Sequence, residues 1–185
     1  MKKEPTLLPI RILGDDILRQ KAAEVAEIDP EIKDFAQDLT YTMYLKDGVG
    51  LAAPQVGKSI RMFVIDPGRR DNDKAQNPIV IINPVIEEKS GESVSDEGCI
   101  SVPDVFAEVK RFEKLKISYT DLEGKRHTEE VGGFVATVIQ HENDHLDGVL
   151  FIDRISALAK LKNSAKIRQI LSKAVDGVNI LSKEK

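Results

Sequence analysis

The segment VIQHENDHLDG, residues 138–148, constrains this chain more than any other stretch. It places His141 and His145 four positions apart, with Glu142 directly after the first histidine. On a helix, this spacing puts both imidazoles on one face, one turn apart, so that they can reach the same metal ion. Glu142 then points beside the ion, where a carboxylate can take a proton from a metal-bound water. The pattern predicts a metal-binding helix that carries its own general base.

A chance match on an exposed helix is the alternative, and the neighbouring residues argue against it. Val135 and Val138 share a helical stripe with Glu142 and His145. Burying histidines and a glutamate without a common task would cost a large desolvation free energy. We therefore expect a buried helix over residues 134–147, with the motif on its inward side.

The third metal ligand has to be found elsewhere, because a catalytic site usually has three protein ligands and one open position. Downstream, Phe151 stands where the metzincin pattern has its third histidine, and Glu184 is the only later glutamate. Upstream, His127 lies in a charged stretch that reads as exposed, and Cys99 follows a glycine in a turn-like stretch. A thiolate beside two imidazoles suits Zn, Fe or Ni. Cys99 is therefore the favoured ligand, whereas His127 as a fourth ligand would indicate a structural zinc site.

Composition sets the broad class of protein. The chain has 185 residues, of which 41% are hydrophobic and 31% charged, and its formal net charge is −4. These values predict one domain, residues 1–185, with its own core. The negative charge argues against DNA binding, no apolar run is long enough for a membrane span, and no signal peptide is recognisable. Because Cys99 is the only cysteine, a reducing compartment is favoured and we expect a cytoplasmic protein.

Hydrophobic periodicity predicts an α+β fold. Helices are expected over residues 29–48, 134–147 and 155–175, and strands over residues 60–66, 79–89, 106–121 and 125–131. Pro84 predicts an edge or a bend in the second strand. The apolar stripe expected on the last helix consists of Leu158, Leu161, Ala165, Ile167 and Leu171. We expect antiparallel β-sheets packed around a central metal-binding helix, with an N-terminal and a C-terminal helix.

The glycine-rich stretch GVGLAAPQVG, residues 48–57, needs a separate explanation. It is not a dinucleotide-binding fingerprint, because no strand leads into it and the third glycine is missing. A loop of small residues is typical of a place where a ligand approaches the backbone closely. A simple turn after the first helix is the alternative.

Three segments, GVGLAAPQ, EGCISVP and QHENDHLDG, stand in this order and together resemble the signature motifs of peptide deformylases. The likeness extends to ILGDDILR near the start, IINPVI in the middle and GVLFIDR after the predicted metal helix, so it covers most of the chain. Asp16 departs from the proline common in the family, at a position outside the site. The helical end and the lack of long insertions resemble the bacterial type 1 branch.

The resemblance implies an activity. A metal-dependent hydrolase of this family removes the formyl group from N-formylmethionine at the N-terminus of newly made polypeptides and releases formate. The implied metal ligands are Cys99, His141 and His145. Glu142 would carry the proton, and the side-chain amide of Gln55 and the backbone N–H of Ile100 would stabilise the oxyanion.

The resemblance also implies a cleft for an extended peptide, which would pair with backbone groups in the manner of an added strand. The residues expected to bind substrate in this way, or to enclose the methionine side chain, are Gly48, Val49, Gly50, Gly98, Phe134 and Val138. Arg111 matches a family arginine near the substrate peptide. Its alternative is a surface salt bridge to Glu113 or Asp104.

Cofactor and partners follow from the same resemblance. We expect one divalent ion per chain, Fe(II) in vivo, with zinc, nickel or cobalt also suited to the ligands. The expected partners are N-formylmethionyl nascent peptides, and a ribosome contact through the lysines of the last helix, for which a solvated face is the alternative. These lysines are Lys160, Lys162, Lys166 and Lys173. A zincin-type peptidase is the alternative function. Asp144 is interpreted as a group that supports a metal ligand or anchors the helix, without an identified partner, and Gln140 receives no role.

Overall fold

The structure, a computed structural model, describes residues 4–70 and 76–181. Within these residues the helices are α1 (Pro30–Leu45), α2 (Gly133–Leu146) and α3 (Ala157–Leu171). The strands are β1 (Gly50–Ala52), β2 (Met62–Ile65), β3 (Ile79–Ser90), β4 (Ser93–Cys99), β5 (Val102–Arg111), β6 (Lys114–Thr120) and β7 (Arg126–Gly132). Short 3-10 helices span Asp16–Arg19, Ala53–Val56, Pro67–Arg70 and Phe151–Asp153. None of the described helices has both the length and the apolar character that a membrane crossing needs.

The strands form two antiparallel sheets around the central helix α2. The larger sheet has the order β1-β2-β3-β6-β7, and β4 pairs with β5 alone. Ile139 of α2 shares an apolar cluster with Phe63 and Ile117 of the larger sheet. Met62 of β2 belongs to a second cluster, together with Leu39 of α1, so β2 is buried on both faces. The predicted α+β fold with antiparallel sheets and a metal-motif helix is confirmed.

Strand β3 runs through Pro84 without ending there. The strand has a bulge between Ile82 and Val85, and Asn83 adopts a left-handed φ of 50°. The Asn83 side chain bonds both to the N–H and to the carbonyl of Val25, each at 2.9 Å. The bend predicted at Pro84 is confirmed, as a bulge that the asparagine amide anchors.

Two strands next to the metal motif lie where no strand was predicted. β1 lies within the glycine-rich stretch and pairs with β2. β4 replaces the turn-like stretch that was expected before Cys99. Short glycine- and serine-containing strands lack the alternating apolar pattern that identifies a strand in a sequence.

The apolar stripe predicted on the last helix is wrong as a buried face. Leu158 and Leu161 are 62% and 71% exposed, and Leu171 is 43% exposed. The helix meets β5 through only part of its length, and Ile170 is its one fully buried residue within the described chain. Its observed bounds, Ala157–Leu171, are also shorter than the expected 155–175.

A buried ion-pair network joins the β4–β5 pair to α2. Arg111 donates two hydrogen bonds to the Glu97 carboxylate, at 2.7 and 2.8 Å, and one to Asp144 Oδ2 at 2.6 Å. Asp144 also accepts two hydrogen bonds from Arg154, at 2.5 and 2.6 Å. The Arg111 side chain is only 2% exposed. Such charge-assisted, bidentate contacts fix both distance and orientation between the elements they join.

The structure thereby corrects what the sequence suggested for Arg111. The side chain does not line the cleft where substrate would bind, and its partners are neither Glu113 nor Asp104. It is a buried structural cation, because β5 places it on the buried face of the strand, where it meets Asp144 of α2. Gln140 also connects α2 to the end of β5. Its side-chain amide accepts from the N–H of Phe112 at 3.0 Å and donates to the carbonyl of Phe112 at 2.9 Å.

We predict that Arg111→Met lowers the free energy of unfolding by about 3–5 kcal/mol, because two buried carboxylates lose their shared cation. The matched control is Lys110→Met on the preceding residue, whose exposed ion pair with Glu92 should contribute no more than about 1 kcal/mol. Urea denaturation of the metal-loaded proteins gives both values. Equal losses in the two variants would show that the network does not stabilise the fold.

Candidate active site

Strand β4 and helix α2 bring one cysteine and two histidines together. Cys99 is the last residue of β4, and His141 and His145 lie one turn apart on α2. One ligand atom from each residue lies within 4.8 Å of the other two. The Cys99 Sγ is 3.3 Å from His145 Nε2. The three ligands proposed from the sequence are thus neighbours in space.

The geometry and the chemistry of this cluster both fit a divalent metal ion. Tetrahedral donors at metal–sulfur and metal–nitrogen distances of about 2.3 and 2.0 Å lie roughly 3.5 Å apart, close to the observed sulfur–nitrogen separation. The imidazole nitrogen of His145 that faces the cysteine is Nε2, as metal binding requires. A thiolate and two imidazoles are donors that zinc, iron and nickel accept.

Glu97 sets the orientation of His141. Its carboxylate lies 2.9 Å from His141 Nδ1. Burial would raise the pKa of Glu97, but the hydrogen bonds from Arg111 and His141 outweigh this and lower the pKa to about 2. An ionised carboxylate can only accept, so Nδ1 must donate its proton. In the neutral imidazole that a metal ion would bind, the lone pair is then on Nε2. Arg111 therefore acts on the site through Glu97.

Glu142 is held in an environment suited to proton transfer. Burial raises the pKa of its carboxyl to about 7, with His141 opposing the shift and the Glu97 carboxylate adding to it. A group with a pKa near the working pH can both accept and return a proton. Gly50 makes room for it, because a Cβ at that position would lie 2.5 Å from Glu142 Oε1. The glycine-rich stretch thus allows close approach of β1 to a carboxylate of α2.

Gln55 is buried behind the cysteine with its amide fixed at both ends. Its Oε1 accepts from the Ala52 N–H at 2.8 Å, and its Nε2 donates to Ser101 Oγ at 3.1 Å. The same Nε2 lies 3.4 Å from Cys99 Sγ. These contacts direct one N–H of the amide to Ser101 and the other toward Cys99, in the cluster.

A cleft of about 1040 Å³ opens over the cluster. Of the residues predicted to bind substrate, only Arg111 does not line this cleft. Those that do are Gly48, Val49, Gly50, Gly98, Phe134 and Val138. Gly98 is backed by the ring of Phe106, which would lie 2.5 Å from a Cβ at that position. Other apolar wall residues were not predicted from the sequence, and Leu45, Val94, Phe106 and Leu181 are among them.

His127 is not part of the cluster. Its Nε2 lies 2.6 Å from Asp121 Oδ2, and its ring stacks on Tyr119 with 5.1 Å between centroids. Among the described residues, the metal-ligand group consists of one cysteine and two histidines. The structural-zinc alternative, which required His127 as a fourth ligand, is therefore wrong.

Comparisons with known proteins agree with this geometry. The model of the family Polypeptide deformylase matches residues 7–161. The chain is 41% identical over 179 residues to a peptide deformylase of Picosynechococcus, covering 96% of this chain and 94% of the relative. It is 47% identical over 149 residues to peptide deformylase 2 of Gloeobacter violaceus, covering 80% and 79%.

A solved structure supports the same assignment. The crystal structure of peptide deformylase from Thermotoga maritima superposes with a TM-score of 0.76 at 44% identity, covering 81% of this chain and 98% of that one. Fold, ligand cluster and sequence motifs thus point the same way. The chain belongs to the polypeptide deformylase family, the metal-dependent hydrolases that remove N-terminal formyl groups.

Proposed function

We propose that this deformylase acts on the N-formylmethionine of newly made polypeptides, with Cys99, His141 and His145 as metal ligands and Glu142 as the proton carrier. The observation that carries the proposal is the convergence of this ligand cluster with a buried carboxylate on the floor of a peptide-sized cleft. Hydrolysis breaks the formyl C–N bond, adds water across it, and yields formate and a free amine.

The three ligands would hold one divalent ion, and we propose Fe(II) as the physiological one. When bound, such an ion supplies Lewis acidity that polarises the formyl carbonyl and makes water a better nucleophile. The donor set also accepts zinc, nickel or cobalt. Elemental analysis of protein purified without oxygen tests the choice: one iron per chain is expected, and zinc alone would contradict it.

Glu142 would handle the proton in both halves of the reaction. It takes a proton from the attacking water and passes it to the departing amine nitrogen, which requires a carboxyl that is easily protonated and deprotonated. The raised pKa of about 7 supports this double role. Burial keeps bulk water from exchanging the proton before it is delivered.

Gln55 and Ile100 would stabilise the negative charge that develops on the formyl oxygen. The Gln55 amide is already fixed by Ala52 and Ser101, so little reorganisation is needed when charge appears. Ile100 directly follows Cys99 in the chain, and both residues line the cleft.

Substrate recognition would depend on backbone groups and one apolar pocket. Gly48, Val49 and Gly50 on one wall and Gly98 on the other give an extended peptide two edges to pair with. Phe134 and Val138 would enclose the methionine side chain. Recognition of backbone suits substrates that share only their first residue.

We predict that Glu142→Gln releases formate from formyl-Met-Ala-Ser at least about 10²-fold more slowly than the parent, because amide cannot carry the proton. Metal content should stay unchanged. The matched control is Asn143→Ala on the next residue, whose side chain bonds to Asp147 outside the cleft and whose turnover should match the parent. A Glu142→Gln protein with parental turnover would contradict the proposed role.

The same assay separates the zincin-type peptidase alternative. That enzyme would cleave the Met–Ala bond and leave the formyl group in place. Mass spectrometry of the products distinguishes formate plus Met-Ala-Ser from formyl-Met plus Ala-Ser. The second outcome, from a fully metal-loaded parent, would overturn the proposed reaction.

We predict that Gln55→Leu lowers kcat by about 10²–10³-fold with a much smaller change in KM, because an oxyanion donor acts mainly in the transition state. Gln37→Leu, an equal change at an exposed position on α1, serves as the control. A variant whose KM rises while kcat is unchanged would assign Gln55 to ground-state binding instead.

We also propose that the protein works in the cytoplasm beside the ribosome, with α3 as the contact. The helix sequence ALAKLKNSAKIRQIL contains four basic residues and no acidic one, which favours a polyanion such as RNA. Lys160→Glu/Lys162→Glu should abolish co-sedimentation with ribosomes at low salt. Lys21→Glu/Lys125→Glu, with the same charge change elsewhere on the surface, should not, and equal behaviour of the two pairs would contradict the contact.

A further inference from the structure

The end of the described chain reaches the active-site cleft. Residues 175–181, which we call the C-terminal strap, leave α3 through a tight turn in which Val175 and Val178 exchange two backbone hydrogen bonds of 2.9 Å. The strap then runs antiparallel to the N-terminal segment, with Ile180 opposite Arg11. It ends at Leu181, which lines the same cleft as Ile100. This strap lies beyond residues 7–161, the part that matches the family.

The N-terminal segment, residues 10–13, lies between the strap and the residues around Gln55 and Ser101. Successive residues of the segment bond to one side and then to the other. On one side, Arg11 N–H donates to the carbonyl of Gln55 and Leu13 N–H to that of Ser101, each at 2.7 Å. On the other side, Ile12 N–H donates to Asn179 and the Ile10 carbonyl accepts from Leu181, each at 2.9 Å. The segment therefore pairs like a strand on both edges. One edge bonds to Gln55 and Ser101, beside the ligand cluster, and the other bonds to the strap.

The strap is fixed by a buried amide, not only by its backbone. Asn179 is 4% exposed, and its Nδ2 donates to the carbonyls of Leu13 and Ile170 at 2.7 and 3.0 Å. Its backbone N–H donates to Asp15 Oδ2 at 3.1 Å. Side chains alternate along an extended chain: Asn179 points inward, Ile180 is 46% exposed, and Leu181 points inward again. The register thus sends Leu181 toward the cleft.

We infer that Leu181 is a specificity-determining residue, which meets the substrate side chains that follow the formylmethionine and favours apolar ones. Leu181 and Ile100 both pack against the apolar cluster that contains Val102, and all three line the cleft. Methionine would be enclosed by Phe134 and Val138, on α2, whereas Leu181 comes from a different element. The inference rests on the proposed function, because it concerns the peptide on which that reaction acts.

The test reverses a charge at position 181 and reads the substrate preference. Leu181→Asp and Leu181→Lys are assayed for formate release from formyl-Met-X-Ser and formyl-Met-Ala-X peptides, with X as Leu, Lys or Glu. At one of the two positions, Leu181→Asp should favour the Lys peptide and Leu181→Lys the Glu peptide. The ratio of kcat/KM for the Lys peptide to that for the Glu peptide should therefore be at least tenfold higher in Leu181→Asp than in Leu181→Lys. Both variants should also lose the parental preference for Leu at that position.

Two controls separate this effect from general damage. Leu158→Asp places the same charge on an exposed leucine of α3 that does not line the cleft. Ile180→Asp places it on the neighbouring strap residue, which is 46% exposed and does not line the cleft either. Both should retain the parental ratios. Because the ratio is taken within each variant, partial loss of folded protein cancels.

The outcomes distinguish this inference from the proposed function. The inference alone would be overturned if the parent releases formate but the Lys-to-Glu ratios of the two Leu181 variants agree within twofold at both positions. A metal-loaded parent that releases no formate from any of the peptides would overturn the proposed function and this inference with it.

Discussion

The bidentate contact between Arg111 and Glu97 is the interaction on which the site depends. Glu97 lies two residues before Cys99 on β4, and the same guanidinium holds Asp144, which lies next to His145 on α2. One buried cation therefore sets the separation between the two elements that supply the metal ligands. Because Glu97 also accepts from His141 Nδ1, this cation fixes the orientation of an imidazole as well as the distance.

Charge balance explains why such a network can be buried. Glu97 and Asp144 are neutralised by Arg111 and by Arg154, which closes the network near the surface. Removing water from isolated charges would be prohibitive, whereas paired and hydrogen-bonded charges are tolerated. Glu142 is not one of the carboxylates that these arginines bind, and burial raises the pKa of its carboxyl. The fold thus keeps one glutamate ionised and leaves another able to exchange a proton.

Much of the site could be predicted from the sequence, because its chemistry is local. The spacing of His141 and His145 on a helix determines that they share a face, and the lack of a downstream ligand directs attention to Cys99. The role of Arg111 could not be predicted, because a sequence does not show that the fold places this side chain between Glu97 of β4 and Asp144 of α2. Leu181 was missed for a similar reason: its place in the cleft depends on a chain reversal and on pairing with residues far away in sequence.

The exposed leucines of α3 show that an apolar stripe in the sequence does not by itself establish a buried face. Their spacing is that of a buried stripe, but burial also requires a partner surface, and β5 covers only part of the helix. The bulge at Pro84 could be located because proline removes a backbone donor at a known position. Its anchoring by Asn83 and Val25, however, is a tertiary contact between residues 58 positions apart.

Cobalt absorption spectroscopy shows whether Cys99, His141 and His145 bind one metal ion. A thiolate bound to Co(II) gives a charge-transfer band in the near ultraviolet that oxygen and nitrogen ligands alone do not give. We expect this band at one cobalt per chain in the parent and in His127→Ala, and its absence in Cys99→Ala. A parent without the band, or a band lost in His127→Ala and kept in Cys99→Ala, would contradict the assignment of the metal site.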